Sequence, residues 1–353
     1  ESRSRRAACA GDKMGAALSS PREDRPKLKP ARSSSLRRMY ASARATSWRS
    51  AGPSSTTNAE RPSLDDEPIE RTGSGQTDKV RWGAHNAPAR ADADRWAVHV
   101  HEDEVTAAVC DGHGVAGAAH WGREIAAEAA SMLAEGLGFE AFQSLHEERY
   151  DETVRAAFEK RRASFKEQHG FDAPGALPAE GGCTATVVNV SSDGLLTVKW
   201  VGDSRCVIQR RDGSVHALTT DHAAATHREE GLRIEKAGGA VEGAYVAAPR
   251  AEGLLQVTRS LGDRAHHLDD VVLATPEVVS VSVEDAAFAV VATDGVWAFV
   301  DDSRAVDTVA DALSKSDDVA AAAEALATLA RERAAASPRG VDDIAVVVLV
   351  FNC

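Results

Sequence analysis

The sequence predicts a mixed α+β domain in which stacked β-sheets are flanked by helices. Short apolar runs bounded by turn residues outnumber strand–helix–strand units along the chain, and this order favours antiparallel sheets over a parallel, doubly wound sheet. Two of the turns contain Asp-Gly, at residues 191–194 and 211–213, which is a common hairpin signal. Alanine-rich segments with a helical apolar period supply the flanking helices.

The first half of this domain is predicted to contain two strands, two helices and a loop. Residues 95–100 and 105–110 predict strands, and the second is almost entirely apolar, as expected for a strand buried on both faces. Residues 115–137 and 139–168 have helical patterns. Residues 170–182 contain Pro and several Gly and predict a loop.

The second half is predicted to consist mainly of strands and to end on a buried one. A helix over residues 226–237 would stop at Gly238-Gly239, a normal helix C-terminus, and an alanine-rich helix would cover residues 318–335. The predicted strands are residues 183–190, 195–201, 205–210, 214–218, 278–283, 288–293 and 344–351.

Composition separates a basic tail from an acidic body. Residues 1–75 are rich in Arg, Ser and Ala and lack periodic apolar residues, so we expect a disordered basic tail followed by one folded domain over residues 76–353. The formal net charge is −13, of which residues 1–50 contribute about +9. The acidic body argues against nucleic acid as a partner, because nucleic-acid binding needs clustered basic charge, and it fits a protein that binds cations.

Cysteine usage and hydropathy bear on location. The five cysteines show no zinc-site spacing, and without disulfides we expect a reducing compartment. No apolar run is long enough for a membrane span. We therefore expect a cytoplasmic or nuclear monomer. The Arg-rich, Ser-rich start keeps organelle targeting as an alternative to a simple flexible tail.

Three aspartates stand at the ends of buried strands and predict a divalent-metal site. Asp111 and Asp294 each follow an apolar run, and Asp342 shortly precedes the last one. Carboxylates are costly to desolvate without a partner, and Mg²⁺ and Mn²⁺ prefer oxygen ligands. Gly112 would let its backbone carbonyl approach the same ion. A single Asp-Gly is typical of an ordinary turn, so the prediction depends on their joint occurrence.

These residues belong to a series of motifs that resembles the metal-dependent serine/threonine protein phosphatases of type 2C, the PPM family. The resemblance covers about residues 80–353, and the motifs occur in the family's order. They are DGHG at 111–114, GGCTA at 181–185, GDSR at 202–205, DH at 221–222 with the helix signature that follows it at 230–239, TRSLGD at 258–263, DGVW at 294–297 and DDI at 342–344.

The resemblance implies a fold and a reaction. The fold would be a β-sandwich of two antiparallel sheets flanked by α-helices on both faces, and the activity would be hydrolysis of phosphoserine and phosphothreonine in proteins. Asp111 would bridge two Mg²⁺ or Mn²⁺ ions, the carbonyl of Gly112 would complete one, and Asp294 and Asp342 would hold the other. A hydroxide bridging the ions would attack phosphorus, and His113 would protonate the leaving oxygen as general acid.

The segment before the first metal motif departs from the family pattern. Asp94 matches the second residue of the family's acidic pair and is a further candidate ligand, but Ala93 replaces the first acid. Ala89 stands where the family has a phosphate-binding arginine. Arg90, one residue along, is the candidate that would bind the substrate phosphate in its place.

Two further departures lie near the C-terminal motifs. Ala298 occupies the position of the third-metal aspartate, which leaves Asp203 as the remaining candidate ligand there, and Asp343 replaces the usual Asn. The departures keep two alternatives open: a weak or inactive PPM-like protein that binds phosphoproteins, and a regulatory domain recruited by its basic tail. The retained core aspartates and His113 favour an active phosphatase with phosphoprotein substrates.

Overall fold

Two antiparallel sheets form the centre of the fold in the computed structural model, which describes residues 71–89, 92–114, 119–152, 156–170, 181–251 and 253–352. Valine-rich runs build both sheets because β-branched side chains pack well on a pleated surface. In spatial order, the six-stranded sheet contains β1 (Arg71–Gln76), β2 (Val80–Ala87), β16 (Ile344–Phe351), β15 (Ala286–Ala292), β9 (Arg205–Arg210) and β10 (Val215–Ala217). The five-stranded sheet contains β14 (Glu277–Ser282), β8 (Leu195–Val201), β7 (Ala185–Val190), β4 (Glu104–Cys110) and β3 (Arg95–His101).

Smaller strands and the helices complete the described part of the chain. Three two-residue strands form a short sheet beside the sandwich: β13 (Leu261–Gly262), β6 (Gly182–Cys183) and β5 (Gly112–His113). A hairpin of β11 (Ala240–Glu242) and β12 (Tyr245–Ala247) lies in the insertion that follows α4. The helices are α1 (Ala119–Ala134), α2 (Phe139–Tyr150), α3 (Ala156–His169), α4 (Arg228–Lys236), α5 (Asp294–Trp297), α6 (Asp302–Lys315) and α7 (Val319–Ala335).

The layers are held together by three apolar clusters. Buried side chains from both sheets, among them Val198 and Val347, fill the space between them. On the outer face of the six-stranded sheet lie α6 and α7, and on the outer face of the five-stranded sheet lie α1 and α2. The predicted sandwich of two antiparallel sheets with helices on both faces is therefore confirmed.

Close packing of α7 depends on one glycine and one cap. A Cβ atom at Gly83 would lie 2.2 Å from backbone atoms of Val319 and Ala320, so the helix can approach β2 only because that side chain is absent. Asp318 accepts hydrogen bonds from two backbone N–H groups of the first turn of α7, which satisfies donors that a helix start leaves unpaired. No helix within the described ranges combines the length and apolarity that crossing a membrane requires.

Several predicted boundaries were wrong. Strand β1 begins at Arg71, before the predicted domain boundary at residues 75 and 76, whereas residues 1–70 lie outside the described part and their disorder stays a prediction. Helices α2 and α3 cover most of the helix predicted over 139–168, and residues 153–155 between them lie outside the described part of the chain. Helix α6 was not predicted.

Strand β2 was missed because some of its buried side chains are polar. His85 and Asn86 are 4% and 2% exposed, and both are satisfied by β1: His85 Nδ1 lies 3.0 Å from Thr72 Oγ1, and Asn86 Oδ1 accepts the backbone N–H of Arg71 at 2.8 Å. Buried polar groups need such partners. The polar residues in β2 therefore hide the apolar run that would otherwise predict a strand.

Candidate active site

The predicted aspartates meet at one end of the sandwich. Asp111 follows β4, Asp94 precedes β3, and these two strands pair through Arg95 and Cys110. Asp294 begins α5 one residue beyond the end of β15, and Asp342 lies just before β16, which pairs with β15. Because paired antiparallel strands begin and end at the same edge, the ends of both sheets bring these residues together. Asp203, between β8 and β9, joins them there.

Like charges dominate the electrostatics of this carboxylate cluster, defined as Asp94, Asp111, Asp203, Asp294 and Asp342. Burial raises the pKa of Asp111 well above its ordinary value, and the neighbouring carboxylates raise it further. Its carboxyl group lies within hydrogen-bonding distance of that of Asp294, whose pKa is also raised by burial and by Asp342. Burial and its neighbours raise the pKa of Asp203 to about 7. Such groups favour the protonated form unless a cation compensates them.

Exposure differs across the cluster. Asp94 is buried, with 3% of its surface exposed; Asp111, Asp203 and Asp294 are partly buried, and Asp342 is exposed at the rim. The innermost oxygen, Oδ2 of Asp94, has no hydrogen-bond partner, although burying an unpaired polar atom is costly. This orphaned oxygen fits a bound cation.

The ligand set suits a hydrated ion better than a fully protein-bound one. Within the described ranges, no three Asp, Glu, His or Cys side chains form a complete cage around one point. Mg²⁺ usually binds through one or two carboxylates and keeps several waters, and an all-oxygen set suits Mg²⁺ or Mn²⁺. The cluster can therefore hold such ions with water completing the coordination.

The absence of a side chain at Gly112 allows α1 to pack closely against the segment that follows Asp111. A Cβ atom at Gly112 would lie 2.4 Å from the carbonyl oxygen of Gly122 in α1, and one at Gly122 would lie 2.4 Å from the carbonyl oxygen of His113. Both positions therefore need glycine for this close approach. The contact holds the segment after Asp111 between α1 and β6, which pairs with β5.

His113 is held by a carboxylate that the sequence reasoning did not single out. His113 Nε2 lies 2.7 Å from Oδ2 of Asp263, and the same oxygen accepts the hydroxyl of Ser260 at 2.6 Å. Burial lowers the pKa of His113, but Asp263 outweighs it and the net shift is upward. The pKa of Asp263 falls to about 2 because His113 outweighs burial. The only signal for Asp263 was its place at the end of the 258–263 motif.

Asp263 also has an unusual backbone. Its φ of 43° lies in the left-handed region, which non-glycine residues rarely adopt and which is often found at functional sites. A Cβ atom at Gly182 would lie 2.2 Å from Asp263 Oδ2, so glycine in β6 leaves the space that this carboxylate occupies.

Asp343 holds the segment that precedes Asp94. Its Oδ1 accepts the backbone N–H of Ala89 at 2.5 Å, and its Oδ2 accepts that of Ala93 at 3.0 Å. Asp343 is 5% exposed. A carboxylate can accept at both oxygens, whereas the Asn that the family usually has can accept at one only. Arg90, the candidate phosphate ligand, lies outside the described residues.

A second buried carboxylate anchors the insertion between α4 and β13. Glu230 is 4% exposed and accepts hydrogen bonds from both Arg233 and Arg259 and from the hydroxyl of Thr258 at 2.8 Å. Burial raises its pKa, but the two arginines and the hydroxyl outweigh it and bring the pKa to about 2. Arg233 also donates to the carbonyl oxygens of Asp270 and Thr258, so the charge network joins α4 to the loops around it.

Comparison with known proteins places the chain among phosphatases. The family model described as Protein phosphatase 2C matches residues 82–337. The chain is 36% identical over 176 residues to "Probable protein phosphatase 2C 44" of Oryza sativa subsp. japonica, covering 49% of this chain and 50% of that protein. It is 33% identical over 192 residues to "Protein phosphatase 2C homolog 1" of Saccharomyces cerevisiae, covering 50% and 62%. The chain thus spans about half the length of the first of these relatives.

Solved structures share the fold at low identity. A serine-threonine phosphatase 2C from Toxoplasma gondii aligns with a TM-score of 0.53 at 18% identity, covering 81% of this chain and 100% of that chain. A phosphatase from a pathogenic strain of Toxoplasma gondii aligns with a TM-score of 0.56 at 20% identity, covering 80% and 96%. Because the family model matches well over half of the sequence and the architecture agrees, the chain belongs to the protein phosphatase 2C family.

Proposed function

We propose that the chain hydrolyses phosphate monoesters on serine and threonine side chains of proteins, with two Mg²⁺ or Mn²⁺ ions held by the carboxylate cluster. The observation that carries the proposal is the convergence of these carboxylates beside His113. In the described part of the chain, no Lys or Arg forms an ion pair with any of the five aspartates; their pairs are with each other. Family membership supports the same activity.

The position of each residue in the carboxylate cluster suggests its role in metal binding. Asp111, which interacts with Asp94, Asp203 and Asp294, is central and suited to both ions. Asp294 and Asp342 would hold one ion, and the carbonyl of Gly112 would complete the other, with Asp94 and Asp203 as additional ligands. When bound, the ions supply a water that ionises near neutral pH and positive charge against the phosphoryl oxygens.

His113 would donate a proton to the leaving oxygen. With Nε2 directed at Asp263, the proton that faces the substrate is the one on Nδ1. The raised pKa favours the protonated imidazole, and the contact with Asp263 holds the ring in one orientation. A serine or threonine alkoxide is a poor leaving group, so proton donation is worth about 10²-fold or more. Water then returns the proton to the ring.

Binding of phosphoproteins without turnover is the second candidate function. Its support is specific: methyl groups at Ala89 and Ala93 replace the family's phosphate-binding arginine and first acid. Hydrolysis is the better supported function, because Asp343 accepts hydrogen bonds from the backbone N–H groups of Ala89 and Ala93 and Asp94 remains in the carboxylate cluster.

Hydrolysis of a phosphothreonine peptide at increasing Mn²⁺ concentration tests the proposal. We expect activity that depends on the metal and falls at least about 10³-fold in Asp111→Asn and Asp294→Asn, because the transition-state charge loses its compensation. Asp311→Asn, at an exposed position on α6, is the control and should retain full activity. Metal-independent turnover, or turnover that survives both cluster substitutions, would contradict the proposal. Tight peptide binding without turnover would support the second function.

A further inference from the structure

Three arginines surround one buried aspartate next to the carboxylate cluster. Arg71 Nη1 and Arg95 Nη1 lie 3.4 Å and 3.2 Å from Oδ1 of Asp92, and Arg123 Nη2 lies 3.7 Å from its Oδ2. These residues come from β1, β3 and α1. Among the described residues, these three guanidinium groups form ion pairs with one carboxylate, so the ion pairs leave an excess of two positive charges at this arginine cluster.

The burial of the cluster makes this imbalance costly. The side chains of Arg95 and Asp92 are 3% and 4% exposed, and Arg95 Nε and Arg123 Nη2 are buried without a hydrogen bond. Buried charges and donors need partners, so an anion that accepts hydrogen bonds would satisfy the site.

The arginine cluster is open to solvent on one side. The side chains of Arg71 and Arg123 are 24% and 15% exposed, and those two arginines form the accessible edge. Asp92 has a φ of 47°, in the left-handed region, a strained conformation of the kind often held at ligand sites. The site is thus anchored by Arg95 and reachable at Arg71 and Arg123.

The backbone connects this site to the carboxylate cluster. Arg95 donates a hydrogen bond to the carbonyl oxygen of Asp94 at 2.6 Å, and Asp94 carries the orphaned carboxylate oxygen. Arg123 follows Gly122, the residue of α1 that packs on Gly112 and His113. An anion at the arginine cluster would therefore lie beside the site of the proposed reaction.

We propose that Arg71, Arg95 and Arg123 form a binding site for a phosphate monoester dianion. The charge of the dianion matches the excess on the cluster, and guanidinium groups bind phosphate oxygens in a planar, bidentate manner. The inference rests on the proposed function for the source of the ligand, which is either the reacting phosphoryl group or a second phosphoryl group of the same substrate. It gives the chain the positive charge that Ala89 does not provide.

The first test is titration of the metal-free full chain with inorganic phosphate by calorimetry. We expect binding that weakens at least tenfold in Arg71→Gln and in Arg123→Gln. Arg81→Gln is the matched control, because Arg81 is also 24% exposed but pairs one to one with Asp317; it should bind phosphate like the wild type. Absence of phosphate binding by the wild type at millimolar concentration, or equal affinity in all variants, would overturn the inference.

Folding is checked on the same samples by thermal melting. If a Gln variant melts early, Arg71→Lys and Arg123→Lys keep the charge and lose only the bidentate geometry. Those variants should bind phosphate at least threefold more weakly than the wild type, and unchanged affinity in both would overturn the inference.

The second test separates the two sources of the phosphate. With Mn²⁺ present, a site for the reacting group predicts that Arg123→Gln raises KM for p-nitrophenyl phosphate about tenfold. A site for a second group predicts an unchanged KM for that ester and a lost preference for a doubly over a singly phosphorylated peptide. Turnover with neither change would overturn the inference and leave the proposed function standing. Phosphate binding without any metal-dependent turnover would contradict the proposed function alone.

Discussion

Glu230 and Asp203 show opposite outcomes for carboxylates enclosed by protein. Burial disfavours the charged form of both groups. Two arginines and a hydroxyl overcome this at Glu230 and bring its pKa to about 2, whereas further carboxylates around Asp203 raise its pKa to about 7. The difference shows that the charges of neighbouring groups decide whether a buried carboxylate is stabilised by the protein itself or needs a bound cation.

Glu230 and the carboxylate cluster also differ in whether their carboxylate oxygens all have hydrogen-bond partners. Glu230 has its hydrogen bonds within the protein, and its partners Arg233 and Arg259 extend the network to backbone carbonyl oxygens. The carboxylate cluster has an oxygen without any partner, Oδ2 of Asp94. Substitutions at Glu230 should therefore change stability, and substitutions in the cluster should change metal binding and turnover.

Glu230→Gln is expected to have the largest effect on stability. The change leaves Arg259, 14% exposed, without its main counter-charge, and breaking a buried pair costs about 3 kcal/mol. Urea unfolding should report this loss, while Glu229→Gln, at the exposed neighbouring position, should change stability by less than about 0.5 kcal/mol. Equal stability of the two variants would contradict a stabilising role for the charge of Glu230.

Asp263→Asn is expected to lower kcat about 10²-fold for a phosphoserine peptide. Without the carboxylate, burial dominates and the pKa of His113 falls, so less of the imidazole carries the proton. The loss should be smaller for p-nitrophenyl phosphate, whose leaving group needs no acid. Asp270→Asn is the control, because Asp270 also has a positive φ, 59°, but is exposed. Equal losses with both substrates would contradict the acid role of His113.

Mn²⁺ is expected to stabilise the protein more at pH 7.5 than at pH 5. In the metal-free fold the pKa of Asp203 is raised to about 7, so this group binds more protons folded than unfolded, and stability falls as pH rises from about 4 towards 7. Metal replaces those protons. At about 100 times its Kd, Mn²⁺ should add about 2.7 kcal/mol at the higher pH, measured as a shift in Tm. A shift independent of pH would contradict this account.

Asp343→Asn should have the smallest effect of the four. The amide can accept from only one of Ala89 and Ala93, so one backbone N–H loses its partner, at a cost of about 1 kcal/mol. The Mn²⁺ concentration for half-maximal activity should also rise, because the segment before Asp94 loosens. Unchanged stability and metal dependence would show that the family's usual residue serves equally well here.

Local patterns predicted the stacked sheets and three members of the carboxylate cluster, Asp111, Asp294 and Asp342, whereas Asp94 and Asp203 came only from the family resemblance. Asp111 directly follows β4, and only Thr293 separates β15 from Asp294, so an apolar run and the one or two residues after it were enough. The partner of His113 is 150 positions away, and a contact of that kind leaves no periodic signal. Only the motif at 258–263 pointed towards it.

The arginine cluster could not be predicted from the sequence either, because its arginines are far apart along the chain. These arginines come from β1, β3 and α1, and each alone is typical of an exposed surface residue. The strand that contains Arg71 was itself missed, because its sequence, RTGSGQ, contains no apolar side chain. Charge imbalance is a property of the folded arrangement and cannot be counted along the chain.

The position of β16 links assembly of the site to completion of the sheet. This strand lies between β2 and β15, so until residues 344–351 are synthesised both of those strands have open edges able to pair with other chains. Asp342 and Asp343 arrive with the same segment. A nascent chain therefore gains Asp342, a proposed metal ligand, and the anchor for Ala89 and Ala93 at the step that closes its aggregation-prone edges, so a chain with the complete carboxylate cluster has already closed its central sheet.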